Sequence, residues 1–321
     1  MKGIIMTNQI QSAVLAAKRS LAIPAAVLIS ACLFFLPTQS HASTYKLPAN
    51  GGDVVGGVHY TTLKGGQTFS DIAQRNHIGY YELLEANPQV NPMQPIAGTK
   101  ILVPTRFVLP KAPRKGIVIN LAELRLYYYP PNSNTVQTYP IGIGRQGWET
   151  PTGTLKIIQR KKDPAWRVPA SVWADAAENG IVLPKVVPPG PDNPLGQYAL
   201  RLSRPNYLIH GTNKPNGVGR RVSAGCIRMY PEDIKRMYSQ VSINTPVTIV
   251  NQPFKTGWLN GKLYLEAHRP LFEQRAQGSD AMSNKMVHAV DTAASKHGVD
   301  VSWAKAKRVA VQQSGIPVAI N

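Results

Sequence analysis

The sequence predicts a mainly β protein: a β-sandwich or barrel-like central domain, preceded by a small βααβ unit and followed by a helical tail. Three observations predict it. Short apolar runs recur between turn residues from 116 to 251, and few helical patterns intervene before 165–180. Strand, helix, helix and strand patterns follow one another over 58–104, and apolar residues recur at helical spacing from Ala281 to Gln313. With 321 residues the chain can build two or three domains, each with its own core. It divides into a leader (1–42), an N-terminal segment (43–57), the small unit (58–104), a linker (105–115), the central domain (116–251) and a C-terminal hairpin and helical region (252–321).

The leader is basic up to Lys18-Arg19, apolar from Leu21 to Leu36, and ends in Ser40-His41-Ala42. The apolar run is short for a membrane span, and the small-x-small ending reads as a cleavage site, so export with removal after Ala42 is expected. Ile29-Ser30-Ala31-Cys32 also looks like a lipoprotein processing site, but the residues after it stay apolar, which suits the middle of a signal core better. If Cys32 leaves with the leader, Cys226 is the one thiol of the mature chain. It then has no partner for an intramolecular disulfide, and an unpaired thiol in an oxidising compartment is a liability unless it is used.

The formal net charge is +19, and only Lys2, Lys18 and Arg19 of that excess leave with the leader. Such a balance favours anionic partners. Inside a cell nucleic acid would head that class; export shifts the expectation to cell-wall polymers, anionic lipid headgroups or acidic peptides, with no nucleic-acid partner.

Taken in order, Tyr60-Thr61-Thr62-Leu63 is strand-like, Lys64-Gly65-Gly66 turns, and Gln67 to Arg75 starts a helix. A second helix carries Tyr81, Leu83, Leu84 and Ala86, stops at Asn87-Pro88, and the unit closes through Gly98 into Ile101-Leu102-Val103-Pro104. The Pro/Lys stretch Leu109 to Lys115 marks a domain boundary. Strands follow at 116–120, 124–129 and 136–144, separated by turn signals at Asn120-Leu121-Ala122-Glu123 and Pro130 to Asn134, and Thr150-Pro151-Thr152-Gly153-Thr154 is a further turn. A helix starts at Pro231-Glu232-Asp233. Asn260-Gly261 predicts a hairpin turn, and Gly298 breaks the final helical pattern, whose apolar face is expected to pack on the central domain.

The candidate chemistry lies in Ile209-His210-Gly211-Thr212 and Ser223-Ala224-Gly225-Cys226-Ile227-Arg228. A thiol becomes a nucleophile when a neighbour takes its proton, and imidazole is suited to do so. His210 follows a strand-like run and Cys226 ends a second apolar run, so two paired strand ends would bring them within reach. On that local pattern alone a buried structural cysteine beside a surface histidine fits as well. The mature histidines are dispersed, and one cysteine gives no ligand cluster, so neither a metal nor another cofactor is expected.

Two resemblances add to this reading. Gly66-Gln67-Thr68, Ile72-Ala73, Leu84, Asn87, Gly98 and Ile101 to Pro104 resemble the lysin motif (LysM), which implies binding to the glycan of peptidoglycan; a spacer without ligand is the alternative. Gln67 stands where that family more often has Asp. Ile141-Gly142-Ile143-Gly144, Thr150 to Thr154, Pro194-Leu195-Gly196, His210-Gly211-Thr212 and Ser223 to Arg228 are similar to the catalytic domain of bacterial L,D-transpeptidases, in particular the periplasmic subgroup with members that attach Braun lipoprotein to peptidoglycan.

The resemblance implies acyl transfer from a tetrapeptide stem through a Cys226 thioester, release of terminal D-alanine, and transfer to an amine. That amine is expected to be a lipoprotein lysine; a second stem peptide or water would make the enzyme a crosslinking transpeptidase or a carboxypeptidase. It implies His210 as base, the Gly211 carbonyl as holder of its tautomer, and sensitivity to carbapenem-type inhibitors. Gly225 and Cys226 N–H groups are the expected oxyanion donors. Ser223, Tyr207 and Thr212 are counted with the substrate-binding set, Ser223 chiefly as a structural hydrogen bonder. Arg228 would meet a substrate carboxylate or the thiolate, or else form a structural ion pair. Ala224 replaces a histidine common in that family, which leaves a noncatalytic wall-binding protein as the rival reading, with a general cysteine protease behind it.

Overall fold

The computed structural model describes residues 43–321, so the expected leader lies outside the described residues. The elements run β1 (Ser43–Lys46), β2 (Val54–Thr62), α1 (Phe69–Arg75), α2 (Tyr80–Glu85), β3 (Lys100–Val108), β4 (Gly116–Asn120), β5 (Arg125–Tyr129), β6 (Thr135–Pro140), β7 (Ile143–Gly144) and β8 (Gly153–Lys162). Then follow β9 (Trp166–Arg167), α3 (Ala170–Glu178), β10 (Val186–Val187), β11 (Tyr198–Leu202), β12 (Leu208–His210), β13 (Arg221–Ser223), β14 (Ile227–Arg228), α4 (Pro231–Gln240) and β15 (Pro246–Val250). The chain ends with β16 (Phe254–Leu259), β17 (Lys262–Ala267), α5 (Phe272–Arg275), α6 (Ser279–His297), α7 (Trp303–Gln312) and β18 (Val318–Ala319).

The central domain is one curled nine-stranded sheet in the order β1-β6-β5-β4-β15-β8-β11-β12-β14. Gly142, just beyond β6, forms a bridge to Arg228 of β14 with N–H···O distances of 2.9 Å both ways, which curls the last strand back towards the first half of the sheet. Alternation along β4 and β5 explains why both strands are buried throughout. Ile117, Ile119, Leu126 and Tyr128 point into a core shared with Ile209, Ile227 and the apolar side of α4, whereas Val118, Tyr127 and Tyr129 point to the opposite face. That opposite face is covered by the LysM-like unit.

In that unit Thr68 caps α1 through a reciprocal capping box with Asp71. Asn87 is fully buried; its side chain bonds Leu83 O and both polar groups of Leu102, which ties the end of α2 to β3. The unit is not separated from the central domain as the expected boundary implies. Leu63, Phe69, Ile72, Leu83 and Ile101 share one core with Val118, Tyr127, Tyr129 and Val136. Strand β2 begins at Val54, within the stretch read as an N-terminal segment, and β3 runs to Val108, within the stretch read as linker. Leu109 is buried, and Lys111 N donates to Gln252 Oε1, so the remaining Pro/Lys residues lie docked on the fold. Ser43–Lys46 forms an edge strand on β6, a role nothing in its composition announces.

The buried Arg125 guanidinium bonds both oxygens of Glu82 on α2, at 2.5 and 3.1 Å, and lies 4.3 Å from the Phe107 ring centroid. A second buried ion cluster joins the C-terminal region. Lys255 Nζ bridges Glu123 and Glu266, at 2.5 and 2.7 Å, and donates to Val108 O, while His268 bonds Glu266 at 2.6 Å. The ammonium sits where the two carboxylates converge and supplies the charge their burial requires. The hairpin turns at Asn260-Gly261, both at positive φ, the geometry of a type I′ turn. Gly298 ends α6 in the left-handed conformation, and Met286, Val290, Ala306 and Val309 form the apolar face that the helical spacing predicts, but it packs on the β16–β17 hairpin in a core of its own and not on the central domain as expected.

Candidate active site

Register places the candidate residues. Strand β12 pairs antiparallel with β11, Ala199 opposite His210 and Arg201 opposite Leu208, and parallel with β14, Ile209 opposite Ile227 and His210 opposite Arg228. Ile209 and Ile227 are core, so alternation turns Leu208, His210, Cys226 and Arg228 to the outward face. Cys226 immediately precedes β14; it opens that strand and does not end one, contrary to the sequence reading. Ile227 and Met229, both buried in the core, fix its facing.

His210 is 3% exposed, and Nδ1 lies 2.6 Å from Gly211 O, so Nδ1–H donates to that carbonyl and leaves Nε2 with the lone pair. Burial, and next the positive charge of Arg228, push the imidazole pKa down to about 3 against the pull of the Gly211 and Leu195 carbonyls. Cys226 is half-buried, and its Sγ contacts Asn206 O at 3.4 Å. Burial raises the thiol pKa, opposed by the Leu208 N–H and the charges of Arg228 and Arg201. Thiol and imidazole are therefore both neutral at rest.

A hydrogen-bonded loop holds Cys226. Ser223 Oγ donates to Cys226 O (2.5 Å) and accepts from Gly225 N (3.2 Å). Gly225 N–H, expected to face an oxyanion, is thus satisfied internally at rest. Gly225 has φ +100°, and an added Cβ would stand 2.9 Å from Tyr207 Cε1, so this position demands glycine and sets Tyr207 against the loop. Ala224 is half-buried between these partners. Thr150 Oγ1 accepts from Gly144 N (3.0 Å) and donates to Gly225 O (2.8 Å), which is the physical use of the Thr-Pro-Thr-Gly-Thr turn. Thr212, by contrast, is buried, and its hydroxyl accepts from Lys214 N. The Arg228 guanidinium is partly buried, and its Nε is without a protein partner.

Sequence reasoning missed the support from the LysM-like unit. Tyr81 N donates to Gly219 O (3.3 Å), Arg220 lies 3.5 Å over the Tyr80 ring, and a Cβ on Gly219 (φ +74°) would be 2.2 Å from Tyr80 N. Only glycine fits there, because α2 sits on the segment that leads into Ser223.

The sequence matches the L,D-transpeptidase catalytic domain over residues 114–249 and the LysM domain over 62–104. It is 44% identical over 245 residues to the probable L,D-transpeptidase YcfS of Escherichia coli K12, covering 74% of this chain and 77% of that one. It is 39% identical over 299 residues to the probable L,D-transpeptidase ErfK/SrfK of the same strain, covering 92% and 96% of the two chains. The chain belongs to the L,D-transpeptidase family. A further L,D-transpeptidase relative of that strain, YbiS, is 40% identical over 293 residues, covering 89% of this chain and 94% of that one. Similarity to these L,D-transpeptidases therefore extends through the LysM domain and much of the C-terminal region, in keeping with the shared cores.

One pH effect follows from burial of the imidazole. His210 is held neutral down to about pH 3 when folded, whereas an unfolded histidine titrates near 6.5. The unfolded state binds the extra proton between those values, so this residue's contribution to stability is full above about pH 6.5 and declines as pH falls towards 3. Lowering pH from 7 to 5 should cost about 2 kcal/mol through this group. Urea unfolding at both pH values, wild type against His210→Asn, measures it; equal pH dependence in the two proteins would contradict the assignment.

Proposed function

We propose that Cys226 and His210 carry acyl transfer from peptidoglycan tetrapeptide stems in the periplasm. The supporting observation is the outward placement of both residues on adjoining strands, with the imidazole held in the tautomer whose Nε2 accepts a proton. The thiol turns from Asn206 towards Nε2, gives up its proton, and attacks the carbonyl on the L-side of the bond to the terminal D-alanine. The C–N bond breaks, the imidazolium returns the proton to the departing amine, and a thioester remains on Sγ. An acceptor amine then attacks the thioester, His210 takes its proton, and the thiol re-forms.

Cys226 N–H is the nearest oxyanion donor, joined by Gly225 N–H on release from Ser223; each such donor contributes about 3–4 kcal/mol to the transition state. Arg228, with its buried Nε unpartnered, stabilises negative charge at the sulfur. Tyr207 walls the loop, and Thr212 shapes the turn after His210. The LysM domain binds the glycan, with Met93 and Ile96 exposed on its α2–β3 loop. The acceptor is a lysine of Braun lipoprotein, and carbapenem-type compounds acylate the same thiol.

The test is intact mass. A tetrapeptide donor should leave a tripeptidyl adduct that a lysine-ended acceptor peptide removes as a new amide. No adduct on the wild type would sink the enzyme reading, while transfer only to a second stem or to water would replace the lipoprotein acceptor.

A further inference from the structure

The outward face that carries Cys226 and His210 continues across β11 and β8. Register sets Arg201 opposite both Leu208 and Gln159, and Ala199 opposite both His210 and Lys161, so these side chains share that face. They floor a groove of about 420 Å³, walled by Leu195, Trp166 and Arg167. The groove adjoins the chemistry at two points: the Leu208 N–H bonds the Cys226 sulfur, and the Leu195 carbonyl faces the His210 ring. Among the described residues its charged lining side chains are Lys161, Arg167 and Arg201, all exposed, and none is acidic. Such a surface selects an anion.

Reach narrows which anion. Strand β11 lies two strand spacings, roughly 10 Å, from β14, and Arg201 stands on the same face as Cys226 with Leu208 between them, near enough for its charge to act on the thiol. A carboxylate one residue beyond the scissile carbonyl is displaced by only about 3.5 Å, whereas one further along a peptide overshoots. Arg201 Nε donates to Gln159 Oε1 (3.2 Å), which orients the guanidinium and leaves its two terminal nitrogens for a bidentate partner. Resting on the transpeptidase reading above, we infer that Arg201 is a specificity-determining residue that binds the free carboxylate of the donor's departing D-amino acid, with Lys161 and Arg167 supplying the surrounding positive field. The site thereby requires a donor that ends one residue past the bond it breaks.

The experiment compares acylation of Cys226 by a tetrapeptide with a free C-terminal carboxylate and by the same peptide as its C-terminal amide. Wild type should show a KM about 10- to 100-fold lower for the acid, the range of a charge-assisted pair. Arg201→Gln should bring the two KM values close together, Arg201→Lys should keep part of the preference, and Lys162→Gln, on the opposite face of β8, should keep all of it. Equal KM values for acid and amide in the wild type, or an Arg201→Gln loss that is the same for both donors, would overturn the inference alone. Acylation by neither donor would overturn the transpeptidase reading with it.

Discussion

Cys226→Ala should abolish the acyl-enzyme, with donor consumption down by at least about 10⁴-fold, because no other thiol or activated hydroxyl stands on the outward face of β12 and β14 among the described residues. His210→Ala should cost about 10²- to 10⁴-fold, the usual contribution of a positioned base. The sharper test is the pH profile. Burial and Arg228 hold the imidazole pKa near 3, and burial raises that of the thiol, so acylation kcat/KM should show no titration near 6.5 on the acid side. Cys226→Ala should retain the wild-type unfolding transition at pH 7, since Cys226 is half-buried. Turnover surviving in Cys226→Ala would remove the thiol from the reaction. A limb near 6.5 in the wild type would mean that the imidazole is hydrated in the reacting form.

What the sequence revealed and what it hid differ in physical kind. Local signals were legible: Asn260-Gly261 set a turn, the stretch from Gln67 started α1, Gly298 ended α6, and short apolar runs between turn residues predicted β4 to β6. The candidate nucleophile and base could be picked out because their motifs are short and contiguous. Their facing could not, since it depends on pairing β12 with β14, elements too short to show alternation. Long-range satisfaction was also invisible. Arg125 and Glu82 are 43 residues apart, and Lys255 and Glu123 are 132 apart; as isolated letters they resemble surface charges, yet both pairs are buried. The pattern of β5 held one further clue. Arg-Leu-Tyr-Tyr-Tyr is apolar on both faces, which announces a sheet covered on both sides, and the second cover is the LysM domain.

That second cover makes removal of 58–104 the other large effect. A module on a flexible tether could be deleted with loss of glycan binding alone; here the deletion uncovers Val118, Tyr127, Tyr129 and Val136 and strips Arg125 of its partner Glu82. Each large apolar side chain so exposed forfeits about 1.5–3 kcal/mol, and together they rival the 5–15 kcal/mol that holds a domain folded. Gly219 and Arg220 would also lose the Tyr80 and Tyr81 contacts that hold the approach to Ser223. The deleted protein should therefore be insoluble or unfold without a cooperative transition, and it should fail to acylate although Cys226 and His210 are intact. Glu82→Ala isolates the electrostatic part: the LysM core stays, and stability should fall by about 3–5 kcal/mol in denaturant titration. A soluble, cooperatively folded deletion variant that acylates like wild type would show that the shared core is dispensable. Loss of sacculus binding by the deletion cannot then be assigned to the glycan face, and that assignment falls to substitutions at the exposed Met93 and Ile96, which leave the shared core in place.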